Sequence, residues 1–157
     1  MIKRRARFIV VTRHAEPTIS PAPEGITEKG EAETRSVAKK LRARIPQNLL
    51  VRVKCSDMAR GRLSAKIIAE EFGTQAEEDP LLSRAINTPY LGPTMDLAEE
   101  ADTVIVVGHL ELTGDWSGLP GQYASAVLGQ NIRHGALEYS QAWLLDCVTG
   151  QFELVYP

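Results

Sequence analysis

Short apolar runs alternate along the chain with longer segments of helical periodicity. Runs rich in valine, isoleucine and leucine predict strands. Five strands are predicted on this basis, at residues 7–12, 49–55, 103–107, 136–146 and 151–155. The first and third are apolar at almost every position, which is typical of strands that are buried on both faces of a parallel sheet.

Two segments between these strands have apolar residues at three- and four-residue spacing, which predicts amphipathic helices. The first helix is expected to begin after an N-cap at Thr27, with acids in its first turn, and to end at Pro46. The second is expected to begin after a cap at Ser56 or Asp57 and to end at Gly73. Shorter helical segments are predicted at residues 93–101 and 122–128.

The alternation of strands and helices predicts an α/β layered domain with a largely parallel sheet. A chain of 157 residues has the size of one ordinary domain, so we expect a single domain over residues 1–157. Hydrophobic residues make up 43% and charged residues 24% of the chain, which is typical of a folded globular protein and excludes general disorder.

The charge balance and the cysteine content narrow the class of protein further. There are 18 Lys and Arg against 20 Asp and Glu, a formal net charge of −2, so no nucleic-acid partner is expected. The apolar run at residues 8–11 is too short for a signal peptide or a membrane span, which favours a cytoplasmic protein with no membrane partner. Cys55 and Cys147 are too few for a disulfide framework; we expect reduced thiols, with one bridge as the alternative.

Two of the three histidines occupy equivalent positions in the sequence. His14 follows Arg13 at the end of the first predicted strand, and His109 follows the third strand, whereas His134 precedes a strand. Arg60 lies just beyond the second strand, in the turn that leads into a helix. In open α/β sheets the carboxyl ends of parallel strands line one crevice, where ligands bind. The two arginines and the two strand-end histidines are therefore expected to meet there.

This set of side chains suits phosphoryl transfer better than metal binding. Guanidinium groups match the oxygens of a phosphoryl group, and an imidazole can attack phosphorus and carry it covalently. A second imidazolium can stabilise the charge that develops, and nearby positive charge keeps the nucleophilic ring neutral. The alternative for either ring is an ordinary hydrogen-bonded histidine after a strand, and the pairing of two such positions favours function. For His134 we expect a surface or rim position.

Four motifs in order resemble those of the histidine phosphatase (phosphoglycerate-mutase-like) superfamily. The segment TRHAE at residues 12–16 resembles the signature that follows its first strand. ITEKG at 26–30 is similar to its L-T-x-x-G helix start, and CSDMAR at 55–60 resembles its S-S-P-L-x-R turn. VVGH at 106–109 looks like its second-histidine motif. Together the motifs carry the resemblance over residues 7–114.

The resemblance implies a three-layer α/β/α sandwich with a mostly parallel central sheet, and a covalent phosphohistidine intermediate on His14. It also implies that Arg13, Arg60 and His109 bind the phosphoryl group, without a metal or an organic cofactor. Arg62 would then be an ordinary solvated helix residue, because the motif spacing places Arg60 in the pocket.

Departures from the superfamily pattern bear on the substrate. Larger members place an acid after the second helix, in a segment resembling P-x-L-x-E; here residues 80–84 read PLLSR, so that Arg84 stands where the acid would be. Residues 80–94 contain no Asp or Glu. An alkoxide leaving group needs a proton, whereas an imidazole that leaves from phosphohistidine depends less on an acid. The chain thus resembles the small bacterial phosphohistidine phosphatases of the SixA type, which act on phosphorylated protein or a small phosphoramidate.

Two acids keep a second enzymatic interpretation open. Glu16 follows the predicted nucleophile, where it is either a pocket acid or a residue that only orients backbone donors. Glu111 lies two residues after His109, where it is either a pocket acid or a solvated loop residue. Either acid would restore activity on a small phosphomonoester metabolite, for which Arg84 would attract a second anionic group. A non-catalytic phosphate-binding module is the third interpretation, and the intact set of arginines and histidines argues against it.

Overall fold

Six strands form one mixed sheet in the part of the chain that is described in this computed structural model, residues 6–83, 101–109 and 137–157. The strands are β1 (Phe8–Arg13), β2 (Val51–Cys55), β3 (Ala76–Glu78), β4 (Thr103–Gly108), β5 (Ala142–Asp146) and β6 (Phe152–Val155). Their order across the sheet is β3-β2-β4-β1-β5-β6. The first four in this order are parallel to one another, and β5 and β6 continue the sheet in antiparallel pairing.

The two most apolar strands lie side by side at the centre of the sheet. All six residues of β4 are buried, as are five of the six residues of β1, which explains their nearly continuous apolar sequence. They pair in parallel with Val10 opposite Ile105 and Arg13 opposite Gly108. Because the two strands end in register, the residues that follow them, His14 and His109, emerge at the same edge of the sheet.

Two long helices, α1 (Glu28–Arg44) and α2 (Ala59–Glu71), pack on one face of the sheet. The predicted N-cap of α1 is confirmed, since the Thr27 hydroxyl accepts a hydrogen bond from the Gly30 N–H at 3.0 Å. Both helices contribute their buried apolar residues to a single core cluster with Val10, Val53 and Ile105 of the sheet. This cluster fixes the helices over β1, β2 and β4.

The opposite face of the sheet is buried as well. Ile9, Val11, Val104 and Trp143 have no exposed surface and belong to a second core cluster. The helices predicted at 93–101 and 122–128 fall almost entirely on residues 84–100 and 110–136, outside the described part of the chain. The predicted α/β class with a mostly parallel sheet is confirmed.

Several predicted boundaries were wrong. The strand expected over 136–146 begins only at Ala142, because Ser140 adopts a φ of 63° and turns the chain. The N-cap of α2 is Met58 rather than Ser56 or Asp57, and no side chain caps this helix. Two elements were not predicted from the sequence: β3, whose three residues include two glutamates and show no apolar pattern, and the 3₁₀ turn Pro80–Ser83.

The two thiols are unpaired and belong to different faces of the sheet. Cys55 lies in the cluster under the helices, and Cys147 packs at the margin of the cluster on the other face. Burial raises the pKa of each thiol to about 11, so both are weak nucleophiles at neutral pH. Within the described residues, no helix has the length and apolar character needed to cross a membrane.

Candidate active site

The carboxyl ends of β1 and β4 bring the two strand-end histidines together. The ring centroids of His14 and His109 are 5.0 Å apart, and the ring planes meet at 61°, an edge-on arrangement. Arg13 is the last residue of β1, and Arg60 lies in the first turn of α2, which follows the neighbouring strand β2. The structure thus places all four residues at one edge of the sheet, the position at which open α/β sheets bind ligands.

Hydrogen bonds fix the backbone and the ring of His14. Its N–H donates to the Gly108 carbonyl oxygen at 2.9 Å, which ties the segment after β1 to the end of β4. The side chain is 5% exposed, and its Nδ1 lies 2.7 Å from the carbonyl oxygen of Ala15. A carbonyl oxygen can only accept, so Nδ1 carries the proton in the neutral ring. The lone pair of that ring is therefore on Nε2, which is the nitrogen that can act as a nucleophile.

The surroundings of His14 favour the neutral ring strongly. Burial, together with the positive charges of His109, Arg60 and Arg13, lowers the pKa of His14 from 6.5 to about 4, against the opposing effect of the Ala15 carbonyl. At neutral pH the Nε2 lone pair is consequently unprotonated in nearly every molecule. A neutral imidazole among cationic groups is the state that an attack on an anionic phosphoryl group requires.

The guanidinium of Arg13 is held from two sides. Nη1 donates to the Leu137 carbonyl oxygen at 3.2 Å, and Cζ lies 4.1 Å from the centre of the Tyr139 ring. Its Nε is buried and has no hydrogen-bond partner among the described residues. The contacts with Leu137 and Tyr139 fix the guanidinium at the edge of the sheet where His14 lies, and its positive charge favours an anion there.

Ser64 connects the segment after His14 to Arg60. Its buried hydroxyl accepts from the Ala15 N–H at 2.8 Å and donates to the Arg60 carbonyl oxygen at 2.6 Å. By contrast, Arg62 is half exposed and forms an ion pair with Glu78 at 3.5 Å. Arg60 is half-buried, and both arginines line one cavity with Asp57 and Met58; they differ in exposure and in the ion pair with Glu78.

Glu16 belongs to the start of α1. Its Oε1 accepts from the Thr27 hydroxyl at 2.9 Å, and its carbonyl oxygen accepts from the Thr27 N–H at 3.0 Å. A Cβ on Gly30 would lie 3.0 Å from both the backbone N and O of Glu16, so a larger residue here would require the Glu16 backbone to shift by a few tenths of an ångström. These contacts attach the segment after His14 to the start of α1. They also engage the Glu16 carboxylate with the Thr27 hydroxyl.

Three residues of this site were not identified from the sequence. Ser64 lies four residues after Arg60, a spacing that places both on one face of a helix, and this signal was available. Ser56 lies within a quoted motif, but nothing in the sequence gave it a contact; its Oγ is 3.0 Å from Nε2 of His109. Tyr139, whose ring centre is 5.6 Å from that of His14, carried no signal because it is distant in sequence.

Arg84, Glu111 and His134, which were predicted near the pocket or at its rim, lie outside the described residues. Among the residues that are described, no three His, Cys, Asp or Glu side chains converge to form a metal site.

The fold is similar to that of several solved phosphatases. A protein histidine phosphatase SixA, solved in complex with tungstate, superposes with a TM-score of 0.66 at 19% identity, covering 96% of this chain and 97% of that one. A protein from Agrobacterium tumefaciens named as the phosphohistidine phosphatase SixA gives a TM-score of 0.64 at 19% identity, covering 95% and 94%. The chain has the histidine phosphatase fold.

The same histidine phosphatase fold occurs in a mycobacterial glucosyl-3-phosphoglycerate phosphatase solved with VO3, with a TM-score of 0.59 at 15% identity over 95% of this chain and 97% of that one. No protein-family profile matches the sequence, and no curated protein is significantly similar to it. At these identities the superpositions establish the fold, and they confirm the resemblance on which the four sequence motifs agreed.

Proposed function

We propose that the chain is a phosphatase that hydrolyses phosphohistidine, in a protein or a small phosphoramidate, through a covalent intermediate on His14. The observation that carries this proposal is the state of His14, a buried and neutral imidazole whose Nδ1 is engaged by Ala15. That arrangement directs Nε2 as the nucleophile and surrounds it with cationic groups.

The reaction has two displacement steps on phosphorus. In the first, the Nε2 lone pair of His14 attacks the phosphoryl group, and the phosphorus–nitrogen bond to the substrate imidazole breaks with its electron pair going to that imidazole. In the second, water attacks the phosphorus of the intermediate, the bond to Nε2 breaks, and inorganic phosphate leaves. Arg13 and Arg60 bind the phosphoryl oxygens, and His109 stabilises the charge that develops on them. After the second step His14 is neutral again.

The acid–base content of the site favours phosphohistidine over an alkyl ester. The imidazole of phosphohistidine leaves with less need of a protein acid than an alkoxide does. Residues 80–94, where larger relatives place an acid, contain no Asp or Glu, and Glu16 is engaged by Thr27. One of the similar structures is named as a phosphohistidine phosphatase SixA. Another, named as a protein histidine phosphatase SixA, is solved with tungstate, an oxyanion of phosphate-like shape.

A phosphatase acting on a small phosphomonoester metabolite is the second candidate. Its support is that the mycobacterial glucosyl-3-phosphoglycerate phosphatase has the same fold with nearly complete coverage of both chains. Glu111 would then supply the proton for the leaving group.

Release of inorganic phosphate by the purified protein distinguishes these candidates. The substrates are phosphohistidine, an aryl phosphate and an alkyl phosphate, with His14→Ala as the control. We expect phosphohistidine to be hydrolysed fastest and the alkyl ester slowest, with all activity lost in the variant. An alkyl rate equal to or above the phosphohistidine rate would contradict the first proposal in favour of the second, and no turnover of any substrate would contradict both.

A further inference from the structure

The side chain of Ser56 connects the end of one strand to the histidine that follows the next. It is fully buried, at 0% exposure, between β2 and α2. Its backbone N–H donates to the Val107 carbonyl oxygen at 3.3 Å, and its Oγ lies 3.0 Å from Nε2 of His109. The backbone of Ser56 therefore binds β4 near its end, and the side chain of Ser56 binds His109, the residue that follows β4.

Gly61 provides the space that the hydroxyl of Ser56 occupies. A Cβ at position 61 would lie under 3.0 Å from Ser56 Oγ, closer than real Cβ atoms come to another heavy atom. The same Cβ would be 3.4 Å from Ser56 Cβ and 3.5 Å from its carbonyl oxygen, which are ordinary contacts. Gly61 is helical, so the glycine is required for space and not for an unusual φ. The close approach is specific to the hydroxyl oxygen of Ser56.

A hydroxyl is suited to hold a histidine whose charge changes. It accepts from Nε2–H when the ring is an imidazolium, and it donates to Nε2 when the ring is neutral with its proton on Nδ1. The contact therefore survives either state. It also opposes a half-turn of the ring about its Cβ–Cγ bond, which would move Nε2 away from the hydroxyl. His109 lies 5.0 Å from His14 between ring centres, so such a rotation would change the groups that face the transferred phosphoryl group.

We propose that Ser56 is a positioning residue whose hydroxyl holds the Nε2 edge of His109 during phosphoryl transfer, and that Gly61 keeps the space for that hydroxyl. This inference rests on the proposed phosphatase function. It assigns Ser56 no contact with substrate, so its effect is expected in the rate of transfer and not in substrate binding.

Three variants test the coupling between these residues. Ser56→Ala removes the hydroxyl and is expected to lower kcat about 10- to 100-fold with little change in KM, the loss of one orienting hydrogen bond to a charged group. Gly61→Ala displaces the hydroxyl and is expected to cause a similar loss. The double variant is expected to be no slower than Ser56→Ala alone, because without Oγ the alanine fits and favours the helix. Losses that multiply in the double variant, or an unchanged kcat in Ser56→Ala, would overturn the proposal.

A spectroscopic measurement separates this inference from the proposed function. The imidazole nitrogens of His109, observed by NMR in protein with ¹⁵N-labelled histidine, report the hydrogen bond without substrate. We expect the Nε2 resonance of His109 to shift in Ser56→Ala, with the fold retained by circular dichroism. A shift in a protein without phosphatase activity would support the contact while contradicting the proposed function. An unchanged resonance would overturn the contact, whatever the activity.

Discussion

The proton affinity of His14 makes the stability of the protein depend on pH in a defined direction. Burial and neighbouring cations lower the pKa of His14 from 6.5 to about 4 in the folded state. Between these values the unfolded chain binds a proton that the folded protein does not, so the free energy of unfolding falls as the pH is lowered through this window. Above pH 6.5 the folded state has no such penalty, and below pH 4 the penalty is constant.

The size of the effect follows from the shift in pKa. A shift from 6.5 to about 4 corresponds to about 3 kcal/mol, at 1.36 kcal/mol for each pKa unit. His14 is 5% exposed, so solvent screening reduces this figure little. Replacing the ring with a neutral side chain in His14→Gln removes the titrating group. Between pH 7 and pH 4 the free energy of unfolding is therefore expected to fall by about 3 kcal/mol less in the variant than in the wild-type protein.

Urea unfolding of both proteins at a series of pH values between 7 and 4 measures this difference. The acids elsewhere in the chain titrate in both proteins, so their contributions cancel in the comparison. The NMR titration of the His14 ring in the folded protein provides a direct check. A titration midpoint of His14 near 6.5 would contradict the conclusion that burial lowers its pKa. So would a difference in the free energy of unfolding between the two proteins that does not change with pH.

The remaining predictions concern the support of the site. Arg60→Ala is expected to lower kcat about 100- to 1000-fold, as for loss of a transition-state donor, whereas Arg62→Ala, the matched control on the same helix, should keep nearly full activity. Gly30→Ala should lower kcat/KM about tenfold, because its Cβ would displace the backbone of Glu16, two residues after the proposed nucleophile His14, while thermal unfolding shows the fold retained. Tyr139→Leu should raise KM by removing the ring over the arginine, and Tyr139→Phe should restore the wild-type value. Equal losses of kcat in Arg60→Ala and Arg62→Ala, or equal KM values in Tyr139→Leu and Tyr139→Phe, would contradict these expectations.

The central strands could be predicted because strands that are buried on both faces have a continuous apolar sequence. β1 and β4 are covered on both faces and are apolar throughout, so their positions and their shared edge followed from the pattern. The ends of these strands then indicated where His14 and His109 would lie. The N-cap of α1 could also be predicted, because its hydrogen bond joins Thr27 to Gly30, only three residues along the chain.

The parts that were missed depend on contacts between distant residues. β3 is held to β2 by backbone pairing and by charged side chains such as Arg52 and Glu77, so it shows no apolar signal. The turn before β5 is set by Ser140, whose N–H donates to the His14 carbonyl oxygen at 3.3 Å and whose hydroxyl lies 3.0 Å from that of Thr34. Such contacts are formed only in the folded chain, and no local pattern specifies them.

Trapping the covalent intermediate tests whether His14 is the nucleophile. The protein is mixed with phosphohistidine, quenched in alkali within the first turnover, digested, and examined by mass spectrometry for a phosphoryl group that is stable to base and labile to acid. We expect this group on His14 and none in His14→Ala. A phosphoryl group on another residue, or phosphate release without any phosphorylated protein, would contradict this expectation.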